Sequence, residues 1–102
     1  MKIELPNIDQ LSEFLVRHID SIQPLIIVCQ EIKKNISEAI KIKLVYEIEN
    51  EDCSGAENIT LYVQIDKDFF EVDKKLDLIV SPYDDYFIDS GVLFTAQVSR
   101  VI

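Results

Sequence analysis

The sequence predicts an α+β fold: an antiparallel sheet of about four strands with about three helices packed on one face, in the order ααββαββ. Three observations predict it. Two apolar stripes of helical period run up to about Ile40, two runs of strict alternation fill Ile42 to Ile65, and a third helical stripe precedes a last alternating run ending near Ser99. With 102 residues, 48% of them hydrophobic, the chain suits one modest core, so a single domain over 1–102 is expected. It contains no Pro-, Gly- or Ser-rich linker, no fixed repeat and no low-complexity tract.

Ile3 and Leu5 suit a short opening strand stopped by Pro6, which lacks the amide a central ladder needs. Asn7 has the place of an N-cap, with Gln10 three residues on at capping-box spacing. Ile8, Leu11, Leu15, Ile19 and Ile22 then mark one face of a first helix. Pro24 suits the first turn of a second, whose apolar positions are Leu25, Val28, Cys29, Ile32, Ile36 and Ala39. Lys33 and Lys34 sit late in it, where positive charge is favoured. Its end stays open between Asn35 and Ile40. The helix pair lacks a turn glycine, and its second member opens with Leu25-Ile26-Ile27-Val28, so core packing is read in place of a DNA-reading helix-turn-helix.

Ile42, Leu44, Tyr46 and Ile48 alternate with more polar neighbours, and Ile59, Leu61, Val63 and Ile65 do the same. A period of two places each set on one face of a central hairpin. The polar stretch from Asn50 to Asn58 joins them, too long for a two-residue turn. Asp68 and Glu71 repeat the capping-box spacing ahead of Phe69, Val72, Leu76, Ile79 and Val80, a third helix ended by Ser81-Pro82. A strand from Leu76 to Val80 is the rival reading. Asp89-Ser90-Gly91 reads as a turn, making Tyr86 to Ile88 and Val92 to Ser99 a second hairpin.

Charge narrows function. The formal balance is −9, and Leu44 to Ser99 supplies it, with thirteen acids against three lysines; the remainder is nearly neutral, with seven bases and six acids. Such a field repels phosphate backbones and anionic lipid and attracts basic proteins. No nucleic-acid or membrane partner is therefore expected. Met1 to Pro6 has no basic start leading into an apolar core, and the longest apolar run, Leu25 to Cys29, is five residues, so neither a secretory signal nor a membrane span is expected. A cytoplasmic location with Cys29 and Cys53 as thiols follows as the expectation.

Most chemistry fails on residue supply. Gly55 and Gly91 are the only glycines, so no glycine-rich loop can bring amides to a phosphate. His18 is the only histidine, which removes paired-histidine zinc sites. Cys29 lies on an apolar helical face, and the Cys53 thiolate would be disfavoured by Glu51 and Asp52, so neither reads as a nucleophile beside His18. Asp66, Asp68, Glu71 and Asp73 mimic a calcium loop, but Glu71 stands where that loop demands glycine. No catalytic residue, metal ligand or cofactor is assigned.

Two uses of the remaining acids stand side by side. Glu51, Asp52, Asp84, Asp85, Tyr86 and Phe87 combine aromatic anchors with surrounding carboxylates, the composition of a protein-binding hot spot. This favours a non-enzymatic acidic interaction module meeting a basic protein partner, like immunity and antitoxin proteins in size and charge alone; a homodimer is compatible with it. The alternative is a divalent-metal-dependent hydrolase or nuclease using Asp84, Asp85 and Asp89.

The segments Glu49-Asn50-Glu51-Asp52, Leu61-Tyr62-Val63, Leu76-Asp77, Asp85-Tyr86-Phe87-Ile88 and Leu93-Phe94 resemble a pattern in small bacterial α+β proteins of unknown function. The resemblance covers about half the chain and implies an order of elements: acidic turn, strand, helix, aromatic-acidic segment. It implies no activity and transfers no functional residue.

Overall fold

The structure, a computed structural model, describes residues 2–37, 39–49, 56–66, 69–89 and 91–100. The chain runs β1 (Lys2–Glu4), α1 (Ile8–Arg17), a 3₁₀ turn (Ile19–Ser21), α2 (Ile22–Asn35), β2 (Lys41–Glu49), β3 (Ala56–Ile65), α3 (Phe69–Val80), a second 3₁₀ turn (Ser81–Tyr83), α4 (Asp84–Asp89) and β4 (Leu93–Arg100). The four strands lie in the spatial order β1-β2-β3-β4.

The central hairpin forms as its alternation requires. Leu44 pairs with Leu61 and Tyr46 with Ile59, so the inward set of one strand faces the inward set of the other. Ile42, Leu44, Tyr46, Ile59, Leu61, Val63 and Ile65 are buried, while Ile48, opposite Glu57, remains 47% exposed. Val98 of β4 extends the same face, and Leu11 and Phe14 of α1, Leu25, Val28 and Ile32 of α2, and Val72, Leu76 and Val80 of α3 close over it in one core. The opposite face carries half-buried Lys43, Val45 and Tyr62 and exposed Thr95 and Gln97.

The antiparallel sheet is corrected to a mixed one. Only β2 and β3 are antiparallel; β1 runs parallel to β2, and β4 runs parallel to β3. The cause lies between Tyr83 and Val92. Tyr86 to Ile88 is not a strand but the middle of helix α4, and the chain crosses back over the sheet through α3 and α4 before it enters β4. A parallel neighbour needs such a crossover, whereas a tight hairpin would have reversed the strand.

Local chemistry explains the helix. Asp84 and Asp85 occupy its first turn, where the dipole favours carboxylates, and only Phe87 is buried while Tyr86 and Ile88 flank it in water. Its far end is a Schellman stop: Gly91 N–H donates to Ile88 O (3.0 Å) and Val92 N–H to Phe87 O (2.8 Å), with Gly91 at φ 75°. The apolar pair that accompanies this motif is Phe87 and Val92, both buried. Gly91 thus ends a helix where the sequence reading expected a hairpin turn. A Cβ at residue 91 would meet only His18 Cε1 at 4.0 Å, so space is adequate and the backbone angle sets the cost. Gly91→Ala should therefore lose about 1 kcal/mol in chemical denaturation.

Two further expectations shift, and the open end of the second helix is settled. The first helix ends at Arg17, where His18 N–H donates to Phe14 O and Leu15 O, and Ile19 is 69% exposed beyond it. The buried stripe is Leu11 and Phe14, with Ile8 52% exposed, so the expected face was rotated away from Phe14. α2 stops at Asn35, whose amide donates to Glu31 O at 2.9 Å. Asn7 makes no side-chain cap. Its amide instead accepts from Tyr46 N–H (3.2 Å) and donates to Tyr46 O (2.6 Å), occupying the edge of β2 past the end of β1. For α3, the helical reading holds over the strand reading, and Asp68 of its expected cap lies outside the described residues.

Candidate functional site

The six residues expected to meet a partner separate by location. Glu51 and Asp52 lie outside the described residues, as does Cys53. Asp84, Asp85 and Tyr86 are exposed on α4, Tyr86 to 62%. Phe87 is corrected to the core: it is 2% exposed and stacks on Phe94, with centroids 4.4 Å apart and planes inclined by 14°. Phe87 lies on the face of α4 that packs inward, while its neighbours Tyr86 and Ile88 are turned away.

Tyr86 is joined by Tyr83, another of the late aromatics that the sequence places among Asp84, Asp85 and Asp89. Tyr83, three residues earlier, brings its ring centroid to 6.3 Å from that of Tyr86. The two rings, with Asp20 of the first 3₁₀ turn and Gln23, Pro24 and Ile27 at the start of α2, line a pocket of about 330 Å³. The pocket joins segments sixty residues apart, from Asp20 to Tyr83 and beyond. Two aromatic rings and a carboxylate are among its lining groups, a combination that can accept a cationic side chain.

A metal-dependent use of Asp84, Asp85 and Asp89 requires converging ligands. Asp85 and Asp89 share a face of α4 at i,i+4 spacing, and all three are exposed. Among the described residues no group of three or more His, Cys, Asp or Glu side chains is placed to hold an ion. His18 packs against Phe14, with centroids 4.5 Å apart. Cys29 lines a different, apolar groove of about 410 Å³ with Ile3, Leu5, Leu15 and Ile26, and burial pushes its thiol pKa up, away from the thiolate. Among the described residues no helix is long and apolar enough to cross a membrane.

One polar cluster escaped the sequence reading altogether. Arg17 at the end of α1 donates from Nη1 and Nη2 to the two carboxylate oxygens of Glu57 on β3, at 2.8 and 2.6 Å. Tyr46 donates its hydroxyl to the same Glu57 carboxylate. Arg17 also lies over the Phe14 ring, 5.7 Å from its centroid. No spacing rule links residues 17, 46 and 57, so only the packing of α1 on the hairpin reveals them. The fork suits a structural clamp, because Nη1 and Nη2 both bond the one carboxylate in a bidentate pair.

The clamp has a pH signature. Hydrogen bonds from Arg17 and then Tyr46 hold the Glu57 carboxyl down to about 2, from an ordinary 4.5. The hydrogen bond to Glu57 also raises the Tyr46 pKa. Because the folded carboxyl is the stronger acid, its stabilisation is complete above about pH 4.5 and is lost as pH falls toward 2. Glu57→Gln should destabilise the protein on the order of 1 kcal/mol at pH 7, discounted for partial exposure. The gap between variant and wild type in thermal melts should narrow through that window, and a gap independent of pH would remove the clamp.

No family model matches the chain, and no curated protein or solved structure matches it either.

Proposed function

We propose that the chain is a non-enzymatic, acidic protein-protein interaction module that binds a basic protein partner in the cytoplasm without contacting nucleic acid, in the manner of immunity and antitoxin proteins of similar size and charge. The observation that carries this reading is the α4 surface. Asp84 and Asp85 precede exposed Tyr86 on α4, and Tyr86 lines the pocket together with Tyr83 and Asp20. An aromatic anchor beside carboxylates offers both burial and charge pairing to an arginine, whose flat guanidinium stacks on a ring while its fork reaches a carboxylate. The N-terminus of α2, equivalent to about half a positive charge, opposes a cation there, but the full charge of Asp20 outweighs it. Glu51 and Asp52, which lie outside the described residues, are included in the proposed contact set on sequence alone.

The test is affinity capture from a lysate at low ionic strength, followed by titration of the recovered partner with wild-type and altered chains. Affinity should fall steeply with salt. The double substitution Asp84→Lys with Asp85→Lys, and Tyr86→Ala alone, should each weaken binding about tenfold or more, with far-ultraviolet circular dichroism unchanged. A partner held equally well by these variants, and insensitive to salt, contradicts the proposal.

A further inference from the structure

The two edges of the sheet are defended very differently. β1 is three residues long, two of them charged, and Pro6 follows soon after. Where β1 ends, the Asn7 amide satisfies both backbone groups of Tyr46 and so occupies the next stretch of the β2 edge. Short length, charge and a side-chain plug are the usual protections against edge-to-edge pairing.

β4 is longer, and its one charged residue is the last, Arg100. It spans eight residues, Leu93 to Arg100, and pairs along its length with β3 alone. Among the described residues no backbone group of Leu93 to Ser99 bonds to anything beyond that pairing. The segment contains no Asp, Glu, Lys, Arg or Pro, although the stretch from Leu44 to Ser99 as a whole carries thirteen acids. Ser99 Oγ is buried without a hydrogen-bond partner, and Phe94 and Ala96 are only partly covered by the core.

We propose that β4 pairs antiparallel with β4 of a second copy, joining two sheets into one of eight strands. The absence of charge selects this occupant. Two chains of −9 repel wherever their acids meet, and Leu93 to Ser99 lets them approach with no charged residue in the paired segment, Arg100 standing just beyond it. The defended β1 edge makes the assembly close as a two-fold dimer and not grow into a fibre.

Geometry then fixes the register. An antiparallel pair of identical strands has its two-fold normal to the sheet, so facing residues must lie on the same side of it. Centring the axis on Ala96 satisfies this and uses the whole uncharged segment: Leu93 faces Ser99, Phe94 faces Val98, and Thr95 faces Gln97 of the other copy. The helices of both copies then cover one side of the joined sheet, with the acidic α4 surfaces repeated by the same axis.

Sedimentation equilibrium over a concentration series up to millimolar should give twice the monomer mass for the wild-type chain. Thr95 and Gln97 are exposed, so charging them spares the fold. The pair Thr95→Lys with Gln97→Lys, and separately Thr95→Glu with Gln97→Glu, should each weaken self-association about tenfold, because like charges then face across the axis. Mixing the two variants should restore the dimer. As a second measure, Ala96→Cys in a Cys29→Ser, Cys53→Ser background should cross-link under oxidised glutathione, since facing Cα atoms about 4.5–5.5 Å apart suit a disulfide. A monomer at every concentration, a dimer indifferent to the lysine pair, or a failure of the opposite variants to recombine overturns the proposal.

Discussion

Phe87→Ala is expected to destabilise the protein by about 3–5 kcal/mol, roughly a fifth or more of the total stability ordinary for a domain of this size. Three terms add. The ring is 2% exposed, so its removal forfeits nearly its full transfer energy and leaves a cavity. It stacks on Phe94, so β4 loses its aromatic partner beneath α4. It also belongs to the apolar pair of the Schellman stop that positions Gly91 and Val92 ahead of β4. Tyr86→Ala, next to it in sequence but 62% exposed, should change stability by no more than about 0.5 kcal/mol. Urea titration of the two variants measures both effects. Similar losses at the two positions would refute the burial of Phe87 beneath α4 with Tyr86 left in water.

Phe14→Ala should cost a comparable amount, about 3–5 kcal/mol, and should do something Phe87→Ala does not. Phe14 is 1% exposed and touches two aromatic neighbours, His18 at 4.5 Å and Tyr46 at 5.4 Å between centroids. Arg17 lies over its ring. Its loss therefore removes a buried anchor of α1 and the surface that steadies the Arg17 side chain for Glu57. In a double-mutant cycle, Phe14→Ala and Glu57→Gln should be non-additive, whereas Phe87→Ala and Glu57→Gln should add within about 0.5 kcal/mol. The pH window of the clamp should shrink in Phe14→Ala and persist in Phe87→Ala. Additivity at both pairs would show that the clamp holds without the ring.

The functional surface was only half legible in the sequence. Acids near aromatics identified Asp84, Asp85 and Tyr86, since composition alone marks solvated carboxylates beside a candidate anchor. Phe87 was assigned outward because Tyr-Phe-Ile fits a strand and a short helix equally well over three residues. Two signals nearby pointed to the helix: acids at Asp84 and Asp85 suit a first turn, and Gly91 stands at the position of a helix stop. Asp20 and Gln23 carried no signal, because their pocket is made by a neighbour sixty residues away.

What the sequence determined by itself was which side chains leave water: Ile42 to Tyr46, Ile59 to Ile65, Leu25 to Ile32 and Val72 to Val80 are buried at the period their spacing announced. Those periods are local properties of a strand and a helix, so neighbours along the chain suffice to read them. Only the tertiary structure decided that β1 and β4 join in parallel, that Asn7 seals an edge and that Arg17 grips Glu57. Strand direction depends on the path of an entire crossover, and side chains forty residues apart meet only after α1 settles on the hairpin, so no local pattern encodes either outcome.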